Sequence, residues 1–338
     1  MKQSTAIAGG TAILVAFLGG AFVATAILIG PIGLRVPSRG AVASRSPVQT
    51  STSTPVKSPL AKSAPASTAS MAFDEARGQL VAFDGQTWTW DGSLWTLKHP
   101  AASPPGRVGA AITYDPDHRL VLLWGGFANA VQSSDFWSWD GSSWTLVQTA
   151  LFPPANGTPG WSVPSPVLLY DSQRHLVVLI RNNGSHPAAP SQPDVWTWDG
   201  AAWTHEVSTN VPAIWGTATY DPALGGILFF GVDGYETSQT WSYIGGSWAQ
   251  LPSTAYPAVP MDNPPALTDF APSRTAVLVD NSGQVWSWLN DQWLRQPGSA
   301  TTAALGTYAT AFDSLNRRLV LLANGTYTWD GSTWTRAA

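Results

Sequence analysis

Six near-copies of one ten-residue phrase punctuate this chain and decide what it can fold into. They read TWTWDGSLWT from Thr87, FWSWDGSSWT from Phe136, VWTWDGAAWT from Val195, TWSYIGGSWA from Thr240, VWSWLNDQWL from Val285 and TYTWDGSTWT from Thr326. Sixteen of the 19 Trp fall inside them, and successive copies start 49, 59, 45, 45 and 41 residues apart. A period of a few tens of residues marks an array of supersecondary units, none of which can bury its apolar face without a neighbour.

The same order of elements precedes each phrase. In the second copy Val108–Tyr114 reads as a short strand, Asp115-Pro116-Asp117-His118-Arg119 as a turn and Leu120–Trp124 as a buried apolar strand. A loop follows, Phe136–Trp139 alternates, Asp140-Gly141 turns, and Trp144–Val147 closes the unit. Equivalent first strands end at Phe73, Tyr170, Tyr220, Phe270 and Phe312. Equivalent second strands are Leu80–Phe83, Leu176–Ile180, Ile227–Phe230, Ala276–Val279 and Leu319–Leu322. Helical periodicity is absent here, and 31 Gly with 27 Pro suit many tight turns. Four-stranded units in a ring make a β-propeller. The predicted fold is therefore all-β: a six-bladed propeller of four-stranded antiparallel blades over 66–338. Its blades lie near 66–100, 106–150, 161–208, 213–253, 264–297 and 305–338. Each is contiguous in sequence, so the ring is expected to close by face packing alone.

In Trp-x-Trp the two indoles project to one face of a strand, and each can bury roughly 150–250 Å². In every copy the opening aromatic precedes the fourth-strand Trp by seven positions: Trp88 and Trp95, Trp137 and Trp144, Trp196 and Trp203, Trp241 and Trp248, Trp286 and Trp293, Tyr327 and Trp334. Asp91-Gly92, Asp140-Gly141, Asp199-Gly200 and Asp330-Gly331 supply turns, Gly through positive φ and Asp by accepting from an N–H two residues on. This spacing resembles the kelch motif of kelch proteins and of the galactose-oxidase-like propeller domain. The kelch double glycine after the second strand is kept only as Gly125-Gly126. The resemblance implies a propeller over nearly all of 66–338. The copper-radical chemistry of galactose oxidase needs a Cys cross-linked to Tyr; the chain has no Cys, so no cofactor is expected.

Residues 6–30 run 25 positions without a charge, enough to cross a bilayer as a helix. They are expected to form an uncleaved signal-anchor after the tail 1–5; the competing reading is a signal peptide cut near Ala24-Thr25-Ala26. Residues 31–65 read as a disordered Ser/Thr/Pro-rich linker. Residues 1–70 carry Lys2, Arg35, Arg39, Arg45, Lys57 and Lys62 and no acid; residues 71–338 hold the other 11 bases and all 21 acids, a balance of −10. So acidic a body argues against nucleic acid as a partner. A literal count of flanking bases favours a cytoplasmic body, whereas the spacer favours one held clear of a bacterial cell surface. The expected arrangement is a single-pass membrane protein with an extracytoplasmic propeller.

No catalytic motif is legible. Asp91, Asp140, Asp199 and Asp330 repeat around a ring, too far apart to act as a hydrolytic pair. The phrase also looks like the sialidase Asp-box, which has a residue between Asp and Gly that is missing here. The five His show no ligand spacing, so no metal is expected; His118 and His175 fall in equivalent turns. Alternating strand direction puts every long loop on one face, and function concentrates in loops on a rigid scaffold. Candidate ligand residues there are Phe127, Asn129, Trp161, Arg181, Asn183, His186, Asp233, Tyr235, Glu236, Tyr256 and Asp262. Aromatics amid Asn and Asp suit a glycan, a cell-wall polymer or a protein ligand. The alternative is a cell-surface carbohydrate-active hydrolase or lyase, with carboxylates in a cleft of the same face.

Overall fold

Each phrase spans the third and fourth strands of a four-stranded antiparallel sheet, and there are six such sheets. A computed structural model of the chain describes residues 64–128, 131–155, 165–182, 192–233, 237–253, 255–257, 265–270, 275–297 and 305–337. Among these residues no helix is long and apolar enough to cross a membrane; the expected anchor at 6–30 and the linker up to residue 63 lie outside them. Blade one consists of Ser70–Asp74, Gln79–Phe83, Thr87–Trp90 and Trp95–Lys98; blade two of Ala111–Asp115, Leu120–Trp124, Phe136–Trp139 and Trp144–Leu146. Blade three comprises Val167–Asp171, Leu176–Asn182, Pro193–Trp198 and Trp203–Glu206; blade four Trp215–Asp221, Gly226–Val232, Ser238–Ile244 and Ser247–Leu251. Blades five and six are Ala266–Phe270, Thr275–Val279, Val285–Leu289, Gln292–Arg295 and Ala309–Asp313, Arg318–Leu322, Thr326–Trp329, Trp334–Arg336. A small hairpin, Phe127–Ala128 with Val131–Gln132, is inserted in blade two.

Among the described residues the ring closes without a shared strand. First strands of adjacent blades touch in order, and that of blade six touches that of blade one. The last strand, Trp334–Arg336, pairs with Thr326–Trp329 of its own blade. What joins the blades is side-chain packing: six apolar clusters lie one between each adjacent pair. Strand alternation explains how each second strand serves two of them. Leu80 and Ala82 face blade six, while Val81 and Phe83 face blade two.

The phrase does what its residue types require. Each fourth-strand Trp sits directly opposite the second aromatic of the third strand, as Trp90 with Trp95 and Tyr243 with Trp248. Ring centroids in these six pairs are 4.8–6.4 Å apart, a geometry worth about 0.5–1.5 kcal/mol beyond area burial. In the Asp-Gly turns, Asp91 Oδ1 accepts from the N–H groups of Ser93 and Leu94, and Asp140, Asp199 and Asp330 do the same. Blades four and five lack this Asp and turn instead through two positive-φ residues, Gly245-Gly246 and Asn290-Asp291.

Three details differ from expectation. The first strand of blade two starts at Ala111, because Val108 bridges to Phe127 of the inserted hairpin. First strands of five blades end one residue later than expected, on Asp74, Asp115, Asp171, Asp221 and Asp313, all buried. Their carboxylates organise the turn that follows; Asp115 Oδ1, for example, accepts from the N–H groups of Asp117 and His118. In blade five the order is reversed. Phe270 lies opposite Thr275, the register of those Asp residues, and Asp269 takes the register of the aromatic in the other blades.

Candidate functional site

The long-loop face is built on one recurring bond. At that end of each third strand the opening aromatic donates to an acid or amide just before it. Trp88 Nε1 reaches Asp84 at 3.2 Å, Trp137 reaches Asp135 at 2.8 Å, Trp196 reaches Asp194 at 3.1 Å and Trp241 reaches Gln239 at 2.9 Å. Trp286 reaches Asp280 at 3.0 Å, and the Tyr327 hydroxyl reaches Asn324 at 3.1 Å. These acceptors escaped the sequence reading; the available signal was a D-x-W or Q-x-W spacing in blades two, three and four.

Two of the acceptors are also clasped by buried arginines. Arg107 pairs with Asp135 through both terminal nitrogens and donates to the Gly125 carbonyl at 3.0 Å. Arg181 pairs with Asp194 directly across the ladder and donates to the Pro154 carbonyl. Burial alone would raise both carboxyls. The hydrogen bonds from Arg107, Ser133 and Trp137 outweigh it at Asp135, and those from Arg181, Trp196 and His205 outweigh it at Asp194, so both lie below the usual carboxylate range. They are fixed acceptors, unsuited to donate a proton as a general acid.

Blade three alone adds an exposed ring to this base. His205, opposite Trp196 in the ladder, packs against the indole with centroids 4.7 Å apart and ring planes tilted by 35°, and places Nε2 against Asp194. Half of its side chain is open to solvent (50%). The equivalent fourth-strand position is Leu97, Leu146, Gln250, Arg295 and Arg336 in blades one, two, four, five and six. A constant scaffold thus presents a different side chain from each blade. No group of three or more His, Cys, Asp and Glu side chains suited to a metal occurs among the described residues.

Of the candidate ligand residues, four are described, and each supports its loop. Phe127 exchanges backbone hydrogen bonds with Val108. Arg181 is 3% exposed and committed to Asp194. Asp233 accepts from the Thr237 N–H and from Gln239, which in turn accepts from Trp241. The Tyr256 hydroxyl accepts from the Ser253 N–H at 3.0 Å. Asn129, Trp161, Asn183, His186, Tyr235, Glu236 and Asp262 lie outside the described residues.

Against this geometry the solved structures can be compared. Several of the similar ones are lectins. A mutant of the Aleuria aurantia lectin in complex with a fucose-containing disaccharide matches with a TM-score of 0.55 at 14% identity, over 80% of this chain and 95% of the lectin. The fucose-specific lectin from the same organism matches at 0.54 and 12% over 79% and 94%, and the SapL1 lectin with α-methyl fucoside at 0.51 and 14% over 81% and 96%. No protein-family model and no curated protein matches the sequence. At such identities the likeness shows the six-bladed propeller fold. It carries the expected resemblance as far as a six-bladed propeller and adds no support for a kelch or galactose-oxidase relation. The aromatic pair seven residues apart follows from the packing of any Trp-rich third and fourth strand joined by a tight turn.

Proposed function

We propose that this chain is a membrane-anchored, extracytoplasmic propeller that binds carbohydrate through its long-loop face. The observation that carries the reading is the His205–Trp196 pair beside the Arg181-held Asp194 carboxylate. An accessible flat ring next to a fixed acceptor suits the apolar face and the hydroxyls of a sugar. The lectin character of the similar solved structures supports the same ligand class, and the uncharged run at 6–30 supports the anchor.

The test is a glycan array probed with the full-length chain in detergent, with fucosylated and cell-wall glycans represented. Saturable binding to at least one glycan class is expected, weakened about tenfold in His205→Ala, which corresponds to about 1.4 kcal/mol. A silent array, or binding indifferent to His205→Ala, would remove this site from consideration. Protease treatment of intact cells tests the topology: the propeller should be cut before lysis.

A further inference from the structure

The channel along the ring axis plays no part in the reading above. It encloses about 550 Å³, within the range of small-molecule sites. Its wall comes from the first strands of all six blades. Each of these hydrogen-bonds to a second strand on one side only, so its other edge faces the axis. At one end the wall extends to Glu75, Pro116, Ser172, Pro222 and Ser314 in the turns after the first strands. This is the short-turn face, opposite the loops considered so far.

The chemistry of the wall is selective. Glu75 is the single charged group among the described lining residues, while Thr113, Thr217 and Thr310 contribute hydroxyls from three blades. A charged guest would leave water for a wall with almost no countercharge, at a large cost; a guest rich in hydroxyls exchanges water for strand edges and threonines. Tyr170, part of the wall, donates to Asp117 of the preceding blade at 2.6 Å and lies 3.0 Å from His175 Nδ1, which is itself 3.2 Å from Asp117. Asp117 and His175 are both open to solvent. The tyrosines Tyr114, Tyr170 and Tyr220 supply flat apolar surface to the wall.

We propose that the axial channel is a binding site for a neutral, polyhydroxylated molecule of monosaccharide size, entered from the short-turn face, with Tyr170 of its wall among the contacts. It is a second site, independent of the long-loop face.

The experiment uses the full-length protein in detergent, titrated with glucose, galactose, fucose and myo-inositol by calorimetry and by ultraviolet difference absorbance. The described wall contains three tyrosines and no tryptophan, so occupancy should perturb tyrosine absorbance and leave tryptophan emission unchanged. Tyr170→Phe should weaken binding about fivefold, the scale of one hydrogen bond, and Thr217→Tyr should abolish it by filling the channel. Near-ultraviolet circular dichroism confirms that the blades are intact; if Thr217→Tyr does not fold, Thr310→Met takes its place. Failure of all four probes to saturate would overturn the proposal. So would binding that both channel variants retain, or binding that perturbs tryptophan and is lost in His205→Ala. An array hit lost only in His205→Ala supports the long-loop site and not the channel; the converse result supports the channel alone.

Discussion

The indole N–H of Trp95 donates to the hydroxyl of Thr326, 231 positions away, at 2.8 Å. This bond joins blade one to blade six, and its equivalents Trp144–Thr87 and Trp293–Thr240 join blade two to one and blade five to four, each at 2.8 Å. The first residue of each phrase is therefore an acceptor for the next blade's Trp wherever it is Thr. Thr326→Val should strand a buried donor and cost about 1–3 kcal/mol, read as a lower urea midpoint. Thr326→Ser should keep most of the stability. A Thr326→Val protein as stable as one carrying Thr335→Val, at an exposed site, would show that the bond contributes nothing.

Opposite Val285, Trp334 Nε1 reaches the Gly283 carbonyl at 3.1 Å instead, but opposite Val195 and Phe136 the donor goes without. Trp248 faces blade three, whose phrase opens with Val195, and Trp203 faces blade two, where Phe136 packs edge-on against it at 4.9 Å. Neither indole N–H finds an acceptor. Val195→Thr, a change of nearly equal volume, is expected to supply one to Trp248 and to raise stability by about 0.5–1.5 kcal/mol in urea unfolding. A drop in stability would mean that desolvating the new hydroxyl outweighs the bond. Phe136→Thr should fail in the same assay, since it removes a buried ring.

On the short-turn face, a side chain from one blade lies over the Asp-Gly turn of the next. A Cβ on Gly141 would stand 2.0 Å from Arg77 Nε, and one on Gly200 2.2 Å from the His118 ring; both glycines have φ near +95°. Gly141→Ala should cost about 1–3 kcal/mol through backbone strain and the displaced Arg77. Part of this should vanish in the Gly141→Ala, Arg77→Ala double variant, where only the strain remains. Strict additivity in thermal melts would show that Arg77 and the turn do not meet in solution.

Acid should loosen the ring. Asp135 and Asp194 have folded pKa values below their ordinary ones, as do the turn residues Asp91, Asp140, Asp199 and Asp330. A depressed carboxyl contributes stability that is present above its unfolded pKa and lost as pH falls through the folded value. Asp74, raised by burial against the pull of Arg77, has the opposite sign and favours the fold at low pH. With Asp117, held low by the Tyr170 hydroxyl, seven depressed groups outnumber it, so the urea midpoint should hold near neutrality and fall below about pH 4. A midpoint that rose on acidification would mean that protonating Asp74 stabilises the ring more than the seven depressed carboxylates do.

The blades were legible because each is written in local signals: alternation, a buried second strand and turn residues with one geometric use. Reading Asp91 as a turn residue needed only its position before Gly92, and the second strands of all six blades start within a residue of where their apolar runs put them. Contacts between blades carry no such signal. That Thr87 serves Trp144, or that Glu206 accepts from the Tyr243 hydroxyl of the next blade, depends on which faces meet after the ring closes. The site shared this limit. His205 looked isolated because Trp196 and Asp194 approach it only through the ladder, and Arg181 looked available because its burial is set by Asp194 on the partner strand.

Because no strand is exchanged between the two ends of the ring among the described residues, each blade is a separable mechanical element. A load applied to the two ends of the ring would meet no continuous backbone ladder running from the first blade to the last. It would act on the Leu80–Val320 cluster and the Trp95–Thr326 bond, and the ring should part there as one whole sheet. In an optical trap pulling on the two termini, the expected trace is a staircase of blade-sized extensions; one continuous unzipping would show that blades borrow stability across more than their nearest seam.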